Sequence, residues 1–140
     1  MSSQLEKAIS IAVNAHFGQV DKGGNPYLLH PLRVMRKLYT EDEKIVGVLH
    51  DVIEDTDITI DDLKREGFSK EITDAIFALT RQEGESYMGF IHRLKTNELA
   101  RTIKIVDIED NIVLSRIPEP TDTDYKRIEK YKKALGELKK

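Results

Sequence analysis

One stretch restricts the fold more than any other. Between Glu43 and Asp55, the apolar residues Ile45, Val46, Val48, Leu49, Val52 and Ile53 cover nearly the whole circumference of a helix when read at helical spacing. A helix that is apolar on almost every side has to be enclosed by other elements. The rest of the chain offers helices for this, with apolar residues three and four apart and no sustained alternation, so we expect an all-α helical bundle and no sheet. At 140 residues we expect one domain spanning 1–140, with one sizeable core and no room for a second catalytic domain.

Helix starts are well marked. Ser3 with Glu6 and Thr40 with Glu43 fit a reciprocal N-terminal cap, Thr59 and Ser69 are suitable N-caps, and Gly67 fits a stop. The spacing predicts helices over 3–18, 31–39, 41–54, 60–66, 70–81, 86–95, 97–115 and 124–138. The last is rich in Lys and Glu, with Ile128, Tyr131, Leu135 and Leu138 on one side, and is expected to pack on the bundle as a lid or edge. The strongest breaker is the loop Asp21-Lys22-Gly23-Gly24-Asn25-Pro26, which leads to His30-Pro31; a second loop covers 118–124.

Composition narrows the function. Charged residues at 34% and hydrophobic residues at 39% exclude both a disordered acidic tail and a membrane protein. A net charge of -3 gives no general field for DNA or RNA, so any nucleotide must be gripped locally. No apolar run approaches the roughly 20 residues of a membrane span. The first residues lack the pattern of a signal peptide, and the cytoplasm is the expected compartment. Without cysteine there is neither a thiolate nucleophile nor a cysteine-ligated zinc site, and His, Asp and Glu remain as metal ligands.

Three polar islands interrupt the apolar pattern. His50 and Asp51, followed one turn later by Glu54 and Asp55, sit in the most apolar helix, where unpaired charges would cost several kcal/mol each. A solvated acidic stripe with a core histidine is the competing explanation. Asp107 follows three core positions and shares a face with Asn111, unless it forms a buried ion pair with Lys104 or Arg101; Glu109 and Asp110 read as solvated or backing groups. His30 is held at a rigid corner by Pro31. His16 reads as structural and His92 as an exposed bystander. Together His30, His50, Asp51 and Asp107 form an H…HD…D set of two imidazoles and two carboxylates. That set suits Mn²⁺, Fe²⁺ or Mg²⁺ better than a closed tetrahedral Zn²⁺ site, although Zn²⁺ stays open, and it leaves positions for water and a phosphoryl oxygen.

The strings Ala15-His16-Phe17-Gly18-Gln19, Lys22 to Pro31, Leu49-His50-Asp51-Val52-Ile53-Glu54-Asp55-Thr56, and Lys104 to Asp107 with Asn111 resemble the HD-domain metal-dependent phosphohydrolases. They are more closely similar to the hydrolase domain of the RelA/SpoT alarmone family and its stand-alone small hydrolases. The resemblance implies an HD-domain bundle with its metal site between central helices. It implies that His30, His50, Asp51 and Asp107 hold Mn²⁺, that Glu54 and Asp55 activate the attacking water, and that Lys22, Tyr27 and Asn111 contact a small-molecule nucleotide. The implied reaction removes the 3′-pyrophosphate from guanosine tetraphosphate or pentaphosphate. The synthetase and regulatory domains of long members have no space in the chain, and a homo-oligomer stays open. Asp21 stands where the family has a basic residue against the base, and Asp107-Ile108-Glu109-Asp110-Asn111 departs from Asp-Arg-Leu-His-Asn. The alternatives are another nucleotide phosphatase, such as one removing the NADPH 2′-phosphate, and a non-catalytic nucleotide-binding or antitoxin-like module.

Overall fold

A computed structural model describes residues 3–113, 117 and 119–140. Among them the chain forms α1 (Gln4–Ala15), α2 (Leu29–Arg36), α3 (Glu41–Leu49), α4 (Val52–Asp55), α5 (Ile60–Arg65), α6 (Lys70–Ala78), α7 (Tyr87–Lys95), α8 (Glu98–Asn111) and α9 (Asp122–Leu138). No strand occurs among the described residues beyond an isolated bridge between Val20 and Pro26. No helix among them is long and apolar enough to cross a membrane.

The expected caps form. The Ser3 and Thr40 hydroxyls accept the Glu6 and Glu43 N–H groups at 3.0 and 3.1 Å, and both acidic side chains return the bond to the cap backbone. Thr59 and Ser69 cap α5 and α6, while Ser86, Asn97 and Thr121 cap α7, α8 and α9. Each such oxygen satisfies an N–H that the helix cannot pair itself.

α3 is the central element, as its apolar circumference requires. Residues Ile45 to Leu49 are all buried, and α1, α2, α6 and α8 pack around them. Gly47 allows α2 to come close: a Cβ there would stand 2.6 Å from Leu38 Cδ1 and 3.4 Å from Val34 Cγ1. α9 lies across α7 and α8, burying Ile128, Ala134 and Leu138.

Several boundaries differ from expectation. The helix expected over 41–54 is interrupted at His50 and Asp51: Asp51 has φ -105° and ψ -1°, and the Gly47 carbonyl is bound by Nδ1 of His50 at 2.5 Å. α1 stops at Ala15, because His16 and Gly18 (φ 86°) turn the chain away. α2 begins at Leu29, which makes Pro31 its third residue, still in the first turn where a missing N–H costs nothing. α6 stops at Ala78, with Leu79 as its C-cap. α8 ends at Asn111, with Ile112 as its C-cap; 114–115 of the expected helix and 118 of the second loop lie outside the described residues. α9 begins two residues early, because Thr121 provides its cap.

The 21–26 loop is closed rather than loose. The Asp21 carboxylate accepts the N–H groups of Gly23 and Asn25, both at 2.9 Å, Gly24 takes a positive φ of 82°, and the Tyr27 N–H returns to the Gln19 carbonyl at 2.8 Å. This fixes Tyr27 and the start of α2.

Candidate metal centre

Four side chains from three parts of the bundle converge at its middle. His30 comes from α2, His50 and Asp51 from the joint between α3 and α4, and Asp107 from α8; each offers a ligand atom, all within 4.8 Å of one another. The joint lets both members of an adjacent pair reach the same point. His30 Nε2 lies 2.8 Å and His50 Nε2 3.1 Å from Asp107 Oδ1, and His50 Nε2 is 3.0 Å from Asp51 Oδ2.

The opposite ring nitrogens are held from behind. His50 Nδ1 bonds the Gly47 carbonyl, and His30 Nδ1 lies 2.6 Å from Asp110 Oδ2. An imidazole that donates from Nδ1 presents the Nε2 lone pair inward, which is the arrangement metal-binding histidines use. Asp110 is fully buried and is clamped by Arg33, whose Nε and Nη2 approach its oxygens at 2.9 and 3.0 Å, with Lys37 at 3.5 Å. Of the solvated and backing readings of Asp110, the structure shows the second.

Carboxylates dominate the electrostatics of the group. Burial pushes both imidazole pKa values down, yet the surrounding carboxylates, Asp107 and Asp110 for His30 and Asp51 and Asp107 for His50, outweigh it and leave both raised. Burial pushes Asp107 up, but Lys104 and then the histidines hold it well below the usual carboxylate range. Asp51, also opposed by burial, is held at about 2, chiefly by His50. Lys104 Nζ sits 2.9 Å from Asp107 Oδ2, so the ion pair weighed as an alternative is present, on the oxygen that the histidines do not use. The four donors fit a divalent cation in kind: two neutral-capable nitrogens and two ionised carboxylates, buried and mutually close.

The remaining expected residues surround this floor. Tyr27 donates its hydroxyl to Asp51 Oδ2. Burial and the neighbouring carboxylates raise its pKa, so it stays a donor. Asn111 Nδ2 donates to Asp107 Oδ1 at 3.1 Å. Lys22 is partly exposed and ion-paired at 3.0 Å with Asp124 Oδ1 at the start of α9. Lys22, Tyr27, His30 and Asn111, with Arg127 and Tyr131 of α9, line one cavity of about 360 Å³. Neither Arg127 nor Tyr131 is a site residue in the sequence reading: Tyr131 enters there only as a member of the apolar stripe of the last helix, and the only signal for Arg127 is that it lies on the same helix.

Glu54 and Asp55 are exposed and line neither the four-residue group nor the cavity beside it; Asp55 lines a separate cavity with Gln19 and Thr56. Partial burial and then the Asp51 charge raise the Asp55 carboxyl, and partial burial likewise raises Glu54. The Glu54 carboxylate accepts the Arg81 backbone N–H. His16 stays outside the metal group, with Nδ1 on Gln19 Oε1 at 2.9 Å and its ring 5.1 Å from that of Tyr27. His92 is exposed, 3.4 Å from Glu137. Lys104 faces Asp107 rather than the cavity that Lys22 lines.

A strandless bundle that gathers H…HD…D between central helices defines an HD-type domain. The solved structure of a metazoan SpoT orthologue, described as hydrolysing ppGpp, superposes with a TM-score of 0.78 at 20% identity over 99% of this chain and 86% of that one. In sequence, a guanosine-3′,5′-bis(diphosphate) 3′-pyrophosphohydrolase of Aquifex aeolicus is 31% identical over 125 residues, covering 79% of this chain and 18% of the relative. One of the same name from Borreliella burgdorferi is 39% identical over 79 residues, covering 54% and 12%. The chain is similar to the HD-type domain of RelA/SpoT proteins in both fold and sequence. It spans less than a fifth of the length of these curated relatives, and others that match are named GTP pyrophosphokinase. No family model matches the chain.

Proposed function

We propose that the chain is a metal-dependent phosphohydrolase that removes the 3′-pyrophosphate from guanosine tetraphosphate or pentaphosphate, giving GDP or GTP and pyrophosphate. The observation that carries this reading is the buried group of His30, His50, Asp51 and Asp107, with its histidines held from behind, opening beside a cavity of nucleotide scale. These four residues would hold the cation, Mn²⁺ in our reading. A divalent ion there polarises phosphoryl oxygen and acidifies water.

The chain's own residues divide the remaining work. A water oxygen forms the bond to the phosphorus attached to ribose O3′, the bond from that phosphorus to O3′ breaks, and O3′ takes a proton. Glu54 and Asp55, both raised from their ordinary values by burial, remove the proton from water and return one to the leaving oxygen. Glu54 has to exchange its bond to the Arg81 N–H for this role. Lys104 holds Asp107 ionised, and Tyr27 and Asn111 orient Asp51 and Asp107 while lining the nucleotide cavity. Lys22 and Arg127 supply local positive charge to a chain whose net charge is -3.

The base is a separate question, because Asp21 spends its carboxylate on the loop backbone and offers no cation to stack. This favours selection by phosphate groups over selection by base, and keeps NADPH in view. The test is Mn²⁺-dependent release of pyrophosphate or phosphate from guanosine tetraphosphate, its adenosine analogue and NADPH. Pyrophosphate from the guanosine substrate is expected. Turnover of NADPH alone would move the activity to a 2′-phosphatase, and binding without turnover would make the chain a nucleotide-binding module. Glu54→Gln is expected to keep the metal and lower kcat by about 100- to 10,000-fold, measured beside metal content.

A further inference from the structure

A second group of charged side chains lies near the four-residue group, linked to it through Glu54 and Lys104. Arg81 follows α6, Tyr87 opens α7, and Lys130 lies on α9. The Lys130 Nζ stands 4.4 Å from the centre of the Tyr87 ring and 5.7 Å from that of Tyr131; the Arg81 guanidinium carbon is 5.8 Å from the Tyr87 ring. Two cations therefore converge on one aromatic ring.

Neither forms a side-chain ion pair, although the Arg81 Nε donates to the Glu85 backbone carbonyl at 3.0 Å. Among the described residues no carboxylate forms an ion pair with Arg81, Lys126, Lys130 or Lys133, although a cavity of about 560 Å³ beside Tyr87 and Lys130 is also lined by Lys126, Lys133 and Glu129. Burial, then the like charges of Arg81, Arg127 and Lys104, lower the Lys130 pKa. The Tyr87 hydroxyl is enclosed and has no hydrogen-bond partner, which leaves a buried donor unsatisfied. Two cations without a carboxylate ion pair, beside an orphaned donor, are matched by an anion rich in acceptor oxygens.

The cluster touches the reaction centre at two points. The Arg81 N–H is bonded to Glu54, and the charge of Lys104, which holds Asp107, is felt at Tyr87. Tyr131 lies between the two cavities: it lines the nucleotide cavity, and its ring is 6.2 Å from that of Tyr87.

We propose that Arg81, Tyr87 and Lys130 form an anion subsite beside the metal centre that holds the phosphate adjoining the one attacked, the terminal phosphate of a pyrophosphoryl group. This rests on the phosphohydrolase reading and sharpens it: the subsite selects substrates that lose pyrophosphate over those that lose a single phosphate. A lone phosphate at the metal would leave the two cations and the tyrosine hydroxyl unmatched.

The test is calorimetric titration of inorganic pyrophosphate and inorganic phosphate into the full chain at a fixed free Mg²⁺ concentration, which keeps chelation equal across variants. Wild type is expected to bind pyrophosphate more tightly than phosphate. Arg81→Ala and Lys130→Ala are each expected to weaken pyrophosphate binding by about 10-fold, the scale of one charge-assisted hydrogen bond, and to leave phosphate binding within about 2-fold. Tyr87→Phe, which keeps the ring and its packing, is expected to weaken pyrophosphate alone, and Lys132→Ala, on the exposed face of α9, to change neither. Equal affinities for the two anions in wild type, or pyrophosphate affinity unchanged in Arg81→Ala and Lys130→Ala, would overturn the subsite. Because binding is read without turnover, a chain that discriminates as expected yet releases no pyrophosphate from guanosine tetraphosphate would reject the hydrolase reading and keep the subsite.

Discussion

Asp110 reaches the four-residue group through His30, bonding Nδ1 at 2.6 Å while Arg33 fixes its own oxygens. A carboxylate in this position sets the tautomer and the ring angle of the histidine and makes Nε2 a better donor to a cation. Asp110→Asn is therefore expected to weaken Mn²⁺ binding about 10- to 100-fold, the usual scale for such backing groups, in a chelator-controlled titration. Unchanged affinity would reduce Asp110 to a packing residue. The difference between Asp107 and Asp110 shows what a sequence exposes. Asp107 interrupts an apolar run and so stands out, whereas Asp110 follows Glu109, reads with it as a solvated or backing group, and meets a partner 80 positions away. The available signal was spacing, since Asp107, Asp110 and Asn111 fall on one helical face. Asp21 was legible as a departure in residue type but not in role, because its two backbone bonds depend on the path of the loop.

Most helices could be read from the chain because their ends are set locally, by caps such as Ser3 with Glu6 or Thr40 with Glu43. The break at His50 and Asp51 could not, since periodicity runs straight through it and its cause is the convergence of two side chains on residues from α2 and α8. Gly47 is a second element-scale feature, placed where α2 crosses α3. Gly47→Val is expected to destabilise the chain by about 1–3 kcal/mol through overpacking, and to weaken metal binding as well, because α2 carries His30. Gly67→Ala provides the contrast. Its φ of 92° makes alanine unfavourable by about 1–2 kcal/mol, while no atom lies within 4 Å of the added Cβ, so it is expected to lower Tm without altering metal affinity. Measuring Tm and Mn²⁺ affinity on both variants checks the pair. Equal metal affinity in both would mean that α2 can shift without moving His30.

Across the whole molecule, the raised pKa values of His30 and His50 tie stability to pH. A pKa higher in the folded than in the unfolded chain contributes stability that is complete below about 6.5, the unfolded value, and is lost as pH rises through the folded values. The metal-free chain is therefore expected to lose Tm as pH rises above about 6.5. A divalent ion replaces those protons, so the gain in Tm on adding Mn²⁺ is expected to grow over the same range, followed by thermal melts with chelator or metal. A metal-free Tm that rises with pH would contradict the charge balance described for the centre. The Lys22 to Asp124 ion pair spans 102 positions and ties the first loop to the last helix. On a ribosome, the four residues proposed to hold the cation have all emerged once Asp107 has, whereas the walls that Arg127 and Tyr131 give the adjoining cavity arrive with α9. On the proposed reading, a nascent chain passes through an interval in which it has its ion ligands before it has the walls to enclose a nucleotide, and α9 brings the completing wall.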